Sequence, residues 1–256
     1  VVYGGRDLTG AASVETLDAV RLDNDVGAGA YIGGSAGGPL DFDGDGYDDP
    51  LLGAWRTWEG QQGDGGAYIF DGSNLADCAV SEATWAFHGI DATGAIQYAV
   101  GAAGDIDGDG VDEVMVGAPK ADVEGEDAGV VYVMSGGLAP GQYSLDDADL
   151  SLVGEGDGTE VGRALGSAGD FNGDGYPDMV VGAWEQETRS PEVSYQDAGA
   201  VYVLYGPLTE LQGRAKMYVA RLKLLGNDTD MWLGRPVGTA GDVNDDGFDD
   251  LLFGAG

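Results

Sequence analysis

The chain has 256 residues and a formal net charge of -35, from 46 acidic and 11 basic side chains. Its apolar fraction of 43% is that of a folded protein, so the charge does not mark a disordered acidic tail. The charge argues against nucleic acid, which needs a basic stripe, and against anionic membranes; it favours cations or a basic partner surface.

In chain order, VVYGG at 1 and AVRLD at 19 read as the third and fourth strands of a preceding unit. A small-residue strand, GGSAGG at 33, leads into the bend DFDGDGYDD at 41–49. The apolar run PLLGAW follows and stops on Gly-Ala, then GAYIFDG at 66 and TWAFHG at 84. The same order then returns. VGAAGD at 100 leads into DIDGDGVDE at 105–113, followed by VMVGAP, GVVYVMSGG at 129 and LSLVG at 150. LGSAGD at 165 leads into DFNGDGYPD at 170–178, followed by MVVGAW, GAVYVLYGP at 199 and RLKLLG at 221. VGTAGD at 237 leads into DVNDDGFDD at 242–250 and LLFGAG.

Runs of four to six residues bounded by glycine are too short for helices, and 48 glycines against 8 prolines suit an all-β chain of tight turns. The unit is four strands, A to D, with the acidic bend between A and B. Repeated four-stranded units predict a β-propeller of antiparallel blades. One propeller segment is expected over 1–256. Its units run about 1–30 (strands C and D of a preceding blade), 31–95, 96–160, 161–232 and 233–256 (strands A and B of a last blade). Three complete blades plus two half-blades, or a ring of four closed by the two ends, both satisfy this count.

The bend has the chemistry of a calcium site. Calcium takes six to eight oxygens in flexible geometry, whereas magnesium demands near-ideal octahedra and keeps its waters. Side chains at positions 1, 3 and 5 of a tight bend converge, the position-7 carbonyl adds an oxygen, and the acid at position 9 closes the shell. The expected ligands of the first bend are Asp41, Asp43, Asp45, the Tyr47 carbonyl and Asp49. Those of the second are Asp105, Asp107, Asp109, the Val111 carbonyl and Glu113. The third has Asp170, Asn172, Asp174, the Tyr176 carbonyl and Asp178; the fourth has Asp242, Asn244, Asp246, the Phe248 carbonyl and Asp250. Up to four Ca2+ ions follow. An EF-hand needs a bidentate Glu at position 12; here that place holds Leu52, Val116, Val181 or Phe253.

VGRALGSAGDFNGDGYPDMVVGAW, continued by GAVYVLYG, resembles the FG-GAP repeat, the blade of the integrin α-subunit N-terminal propeller and of many bacterial surface proteins. Val161-Gly162 and Leu233-Gly234 hold the place of the family's Phe-Gly, and Ile96-Gln97 departs from it. The resemblance implies calcium in the A–B bend, ligand recognition on the opposite face, and an extracellular or cell-surface adhesion module without catalytic residues. Cys78 is the only cysteine, so the disulfides of vertebrate integrin blades cannot form, which points to a bacterial-type relative. Further blades of a longer parent chain, or a neighbouring subunit, are the other implied partners.

A protein or glycan ligand is expected on the loops between strands B and C and between D and A. Trp55, Trp58, Trp184 and Tyr195 are the candidate contact aromatics, because Trp and Tyr dominate recognition hot spots. Packing between blades is the competing reading for Trp55 and Trp184. His88, the only histidine, ends a D strand with no nucleophile elbow elsewhere, so no enzyme is expected. Two alternatives stay open: an accessory or catalytic domain of a secreted polysaccharide-acting enzyme, and an architectural piece of a calcium-dependent surface assembly. No apolar run reaches the ~18 residues of a membrane span, so no direct insertion is expected. The chain begins without Met, which reads as a processed or partial chain whose targeting segment lies elsewhere.

Overall fold

A computed structural model describes residues 1, 19–23, 25, 32–54, 65–89, 99–189, 193–209 and 212–256. Five elements open the described chain: β1 (Leu22–Asp23), β2 (Ile32–Gly37), β3 (Leu51–Ala54), β4 (Gly66–Ile69) and β5 (Cys78–Ala79). Next come β6 (Trp85–His88), β7 (Ala99–Gly104), β8 (Glu113–Ala118), β9 (Val130–Met134), β10 (Gly141–Ser144) and β11 (Leu150–Val153). They are followed by β12 (Ala164–Gly169), β13 (Asp178–Ala183), β14 (Thr188–Arg189), β15 (Ser194–Tyr195) and β16 (Ala200–Leu204). The last are β17 (Gly213–Lys216), β18 (Leu222–Leu225), β19 (Val237–Gly241) and β20 (Asp250–Phe253). Among the described residues no α-helix occurs, and no helix is long and apolar enough to cross a membrane.

The strands pair antiparallel as β2-β3-β4-β6, β7-β8-β9-β11 and β12-β13-β16-β18, with the hairpin β19-β20 after them. These repeated four-stranded sheets are the blades of a β-propeller. The expected unit limits near 30 and 95 fall outside the described residues.

The apolar pattern follows from blades stacked face to face. A middle strand has a neighbouring sheet on both sides, so its side chains are buried without interruption. In β8, Val114 and Val116 join Leu51, Ile69, Trp85 and Phe87 of the first sheet. Met115, between them, joins Met179, Val181, Tyr202 and Leu204 of the third. Period-2 alternation is present, but both phases are apolar because both faces are covered.

The inner strands are glycine- and alanine-rich for a different reason. They converge on a central cavity of about 720 Å³, lined by residues such as Ala36, Gly101, Gly166 and Gly238. A Cβ on Gly37 would stand 3.1 Å from the Gly101 Cα, and one on Gly101 3.1 Å from the Leu165 carbonyl oxygen. Backbones that close leave no room for side chains.

One feature of the connection from the third to the fourth strand is absent from the sequence reading. Before returning to its own sheet, it adds a parallel strand to the outer edge of the preceding one. Thus β5 pairs with β1, β10 with β6 and β17 with β11. Each added strand runs straight into a single 3-10 turn, Val80–Glu82, Leu145–Asp147 or Met217–Val219, whose first residue is fully buried. An outer strand left bare would expose a row of unpaired backbone groups; here the next unit covers it.

Leu145 therefore anchors one blade against another. Leu145→Ala is expected to destabilise the fold by about 3 kcal/mol, and Gln142→Ala, exposed on the same connection, by under about 0.5 kcal/mol, as read by chemical denaturation.

Candidate functional site

The four acidic bends share one internal hydrogen-bond pattern. The first-position carboxylate accepts from the sixth-position glycine amide: Gly46 to Asp41 at 3.0 Å, Gly110 to Asp105 at 3.1 Å, Gly175 to Asp170 at 2.9 Å and Gly247 to Asp242 at 2.8 Å. The third-position side chain accepts from the fifth amide in three bends: Asp45 to Asp43, Asp109 to Asp107 and Asp174 to Asn172. The fifth-position side chain accepts from the seventh amide in all four, as in Tyr47 to Asp45 at 2.9 Å. Successive amides thus point inward at carboxylates, which offsets part of their mutual repulsion. Glycine at the sixth position is required: its φ is +89°, +97°, +93° and +92° in the four copies, a conformation a Cβ resists.

The ninth-position acid has a larger role than closing a shell. Asp49, Glu113 and Asp178 are buried, at 2%, 2% and 0% exposure. Asp49 accepts from Phe42 N–H at 3.0 Å and from Gly72 N–H at 2.7 Å. Asp178 accepts from Asn172 at 3.2 Å and Gly206 at 2.9 Å, and Glu113 from Ile106 at 2.9 Å and Gly136 at 3.4 Å. Gly72, Gly136 and Gly206 each lie just beyond their unit's third strand. The ninth acid therefore ties the bend to the connection that covers the previous blade. The recurrence of glycine at that place is the sequence signal that could have revealed it.

Adjacent bends also touch. A Cβ on Gly44 would come within 2.7 Å of Val111 Cγ1, and one on Gly108 within 2.8 Å of Tyr176 Cε1; Gly173 lies likewise under the Phe248 ring. The fourth position of each bend is thus kept bare by the seventh side chain of the next. The fourth bend places Asp245 there instead, at φ +64°.

Two groups of acids bring ligand atoms within 4.8 Å of one another among the described residues: Asp41, Asp43 and Asp45, and Asp105, Asp107 and Glu113. In the second, the longer Glu113 reaches the group; in the first, Asp49 stays outside it. Asp41 Oδ1 is buried with no hydrogen-bond partner. A carboxylate oxygen facing other carboxylates without a proton donor is a position that a hard cation satisfies, so the residues fit one. Burial raises Glu113 from its ordinary 4.5 to about 8, and Asp49 and Asp178 from 3.8 to about 6. Desolvation also raises Asp43 and Asp107. In the open fourth bend the Gly247 amide instead lowers Asp242.

At the other end of the strands, the B–C and D–A loops meet around a cavity of about 320 Å³. Its lining is acidic, with Asp127, Asp157, Glu160, Glu185 and Asp197 among it. Within that lining, Glu160, 5% exposed, pairs with both Lys120 and Arg163. Trp184 is half-buried, with the Arg163 guanidinium 4.7 Å and the Arg235 guanidinium 4.4 Å from its ring centre. Tyr195 is half-buried in β15, opposite Thr188. Trp55 and Trp58 lie outside the described residues.

Successive four-stranded sheets with an acidic bend between the first and second strands of each unit define a repeat-built propeller. The FG-GAP repeat matches residues 98–134 and 161–204. Integrin alpha pat-2 of Caenorhabditis briggsae is 28% identical over 228 residues, covering 84% of this chain and 17% of the relative. Integrin alpha-PS2 of Drosophila melanogaster is 31% identical over 160 residues, 60% of this chain and 11% of the relative. Integrin alpha-11 of Homo sapiens is 31% identical over 160 residues, 59% of this chain and 12% of the relative. The chain spans 11% to 17% of the length of these curated relatives. The chain thus carries FG-GAP repeats and is similar to integrin alpha chains.

The raised acids give the metal-free fold a defined pH dependence. A carboxyl whose folded value lies above its unfolded one stabilises at low pH and loses that contribution as pH rises through the folded value. In excess chelator, the melting temperature is expected to fall between about pH 4.5 and about pH 8, with Glu113 carrying the upper part of the fall. Glu113→Gln should flatten that upper part; a melt equally steep in the variant would contradict the assignment.

Proposed function

We propose that this chain is a calcium-binding, non-catalytic β-propeller segment that serves adhesion or recognition of a protein or glycan at the cell surface. The observation that carries the calcium reading is the unpartnered buried Asp41 Oδ1 beside Asp43 and Asp45. All four bends repeat the bonds from the sixth amide to the first side chain and from the seventh amide to the fifth, so the ligand sets read at 41–49, 105–113, 170–178 and 242–250 are proposed together. Calcium supplies there a hard dication suited to all-oxygen donors. Asp41, Asp43 and Asp45, and their counterparts, hold it; the inward amides orient their carboxylates; the buried ninth acid fixes the bend to the sheet. Because a cation favours ionised carboxylates, binding at Glu113 displaces the proton that burial retains.

The adhesion reading is supported by relatedness to integrin alpha chains and by the loops that meet at the acidic cavity. A ligand seated there meets several carboxylates, so a partner surface carrying positive charge fits best. The same reading makes the chain one propeller segment, with the unit limits given above, in an extracellular or cell-surface protein. Binding of the purified chain to protein and glycan arrays, with turnover assays on any glycan retained, tests it: retention without turnover is expected, and turnover would favour a polysaccharide-acting enzyme.

With free calcium at ten times its dissociation constant, each occupied site stabilises the fold by about 1.4 kcal/mol. Excess chelator is therefore expected to lower the melting temperature by several degrees per site, and calorimetry giving one melt with and without calcium would overturn the reading.

A further inference from the structure

The eighth position of the bends is Asp48, Asp112, Pro177 and Asp249, and none of these is among the proposed ligands. Asp112 nevertheless reaches back to the preceding bend. Its Oδ2 accepts from the Asp41 N–H at 2.9 Å, and its own N–H donates to the Asp41 carbonyl at 3.0 Å. Asp249 makes the same pair of bonds to Asp170, at 2.8 Å and 3.2 Å. Asp41 and Asp170 are the first-position residues of their bends. Between the second and third bends the pattern stops, because Pro177 has neither an amide proton nor a carboxylate. Its ring lies against Gly104, where the Asp249 carboxylate lies against the equivalent Gly169.

We propose that Asp112 and Asp249 couple cation binding in pairs, joining the first bend to the second and the third to the fourth, with the coupling interrupted at Pro177. This rests on the calcium reading and divides its four sites into two pairs. Asp112 directly precedes Glu113, so an ion that holds Glu113 also restrains the Asp112 backbone. Two hydrogen bonds then restrain the peptide of Asp41, whose carboxylate heads its own bend. The second ion meets a bend already ordered and loses less conformational freedom on binding. By linkage, the effect runs equally in the other direction. The stacking of a seventh-position side chain over a fourth-position glycine occurs at all three junctions, so it does not set two of them apart. The reciprocal hydrogen bonds do. Asp112 and Asp249 are accordingly positioning residues.

Titration of the 15N-labelled chain with calcium chloride, followed by NMR, resolves the sites one by one. The amides of Gly46, Gly110, Gly175 and Gly247 each donate to their own first-position carboxylate and report on their own bend. Asp112→Ala should move the Gly46 and Gly110 midpoints to about tenfold higher calcium, the worth of roughly one hydrogen bond to a charged group, and leave Gly175 and Gly247 in place. Asp249→Ala should do the converse. Pro177→Asp should link the midpoints of Gly110 and Gly175. If Asp112→Ala compromises folding, Asp112→Pro installs the residue that the fold already accepts at the equivalent place. Midpoints at Gly46 and Gly110 unmoved by the Asp112 variants would overturn the coupling alone. Absence of any calcium-dependent shift at the four glycines of the unsubstituted chain would overturn the calcium reading beneath it.

Discussion

Carboxylates packed into a nine-residue bend repel one another, and the molecule is arranged around offsetting that repulsion. At about 4 Å and an effective dielectric near 20, each pair costs roughly 4 kcal/mol. Inward-facing amides supply a first compensation, four times over and at matching positions. They do not complete it. Asp41 Oδ1 has no donor, and burial holds Glu113, Asp49 and Asp178 above their ordinary values. The protein's own donors leave that Asp41 oxygen unpaired, which is the observation behind the proposed cation.

The same bends are joints between blades. The second residue of the first bend, Phe42, packs edge-on against Trp85 at 5.3 Å and against Phe87 at 5.9 Å between ring centres. Its carbonyl accepts from Gly137 of the following unit, as the Ile106 carbonyl accepts from Leu208. The first and second bends are therefore clasped by the connection that also covers the outer strand of their own sheet. The acidic bends and the blade packing share residues, so ordering one orders the other. The opposite end joins successive units as well, with Val161 N–H donating to the Ala128 carbonyl at 3.2 Å and Leu233 N–H to the Ala198 carbonyl at 3.1 Å. Its loops otherwise vary in length and sequence.

Much of this is legible in the sequence. Four copies of one acidic pattern at near-constant spacing fix the repeat, and the short glycine-bounded runs fix strands over helices. Sequence could not say that Trp184 sits half-buried beside two arginines, because Arg163 and Arg235 lie 21 and 51 residues from it along the chain. Nor could it show that the ninth acid accepts from amides of a neighbouring connection. A single letter at that position fits that acceptor role and a metal ligand equally well.

What the residues by themselves determined was local: the acidic bends with their glycines, the four-strand unit and the resemblance to FG-GAP repeats. These follow from spacing and side-chain type, which act over a few residues and repeat visibly. What only the tertiary structure decided was how one unit meets the next: the added parallel strand, the buried residue of each 3-10 turn, and the eighth-position aspartate that grips the preceding bend. Those contacts join residues more than fifty positions apart, and chain order alone carries no record of which backbones will lie side by side.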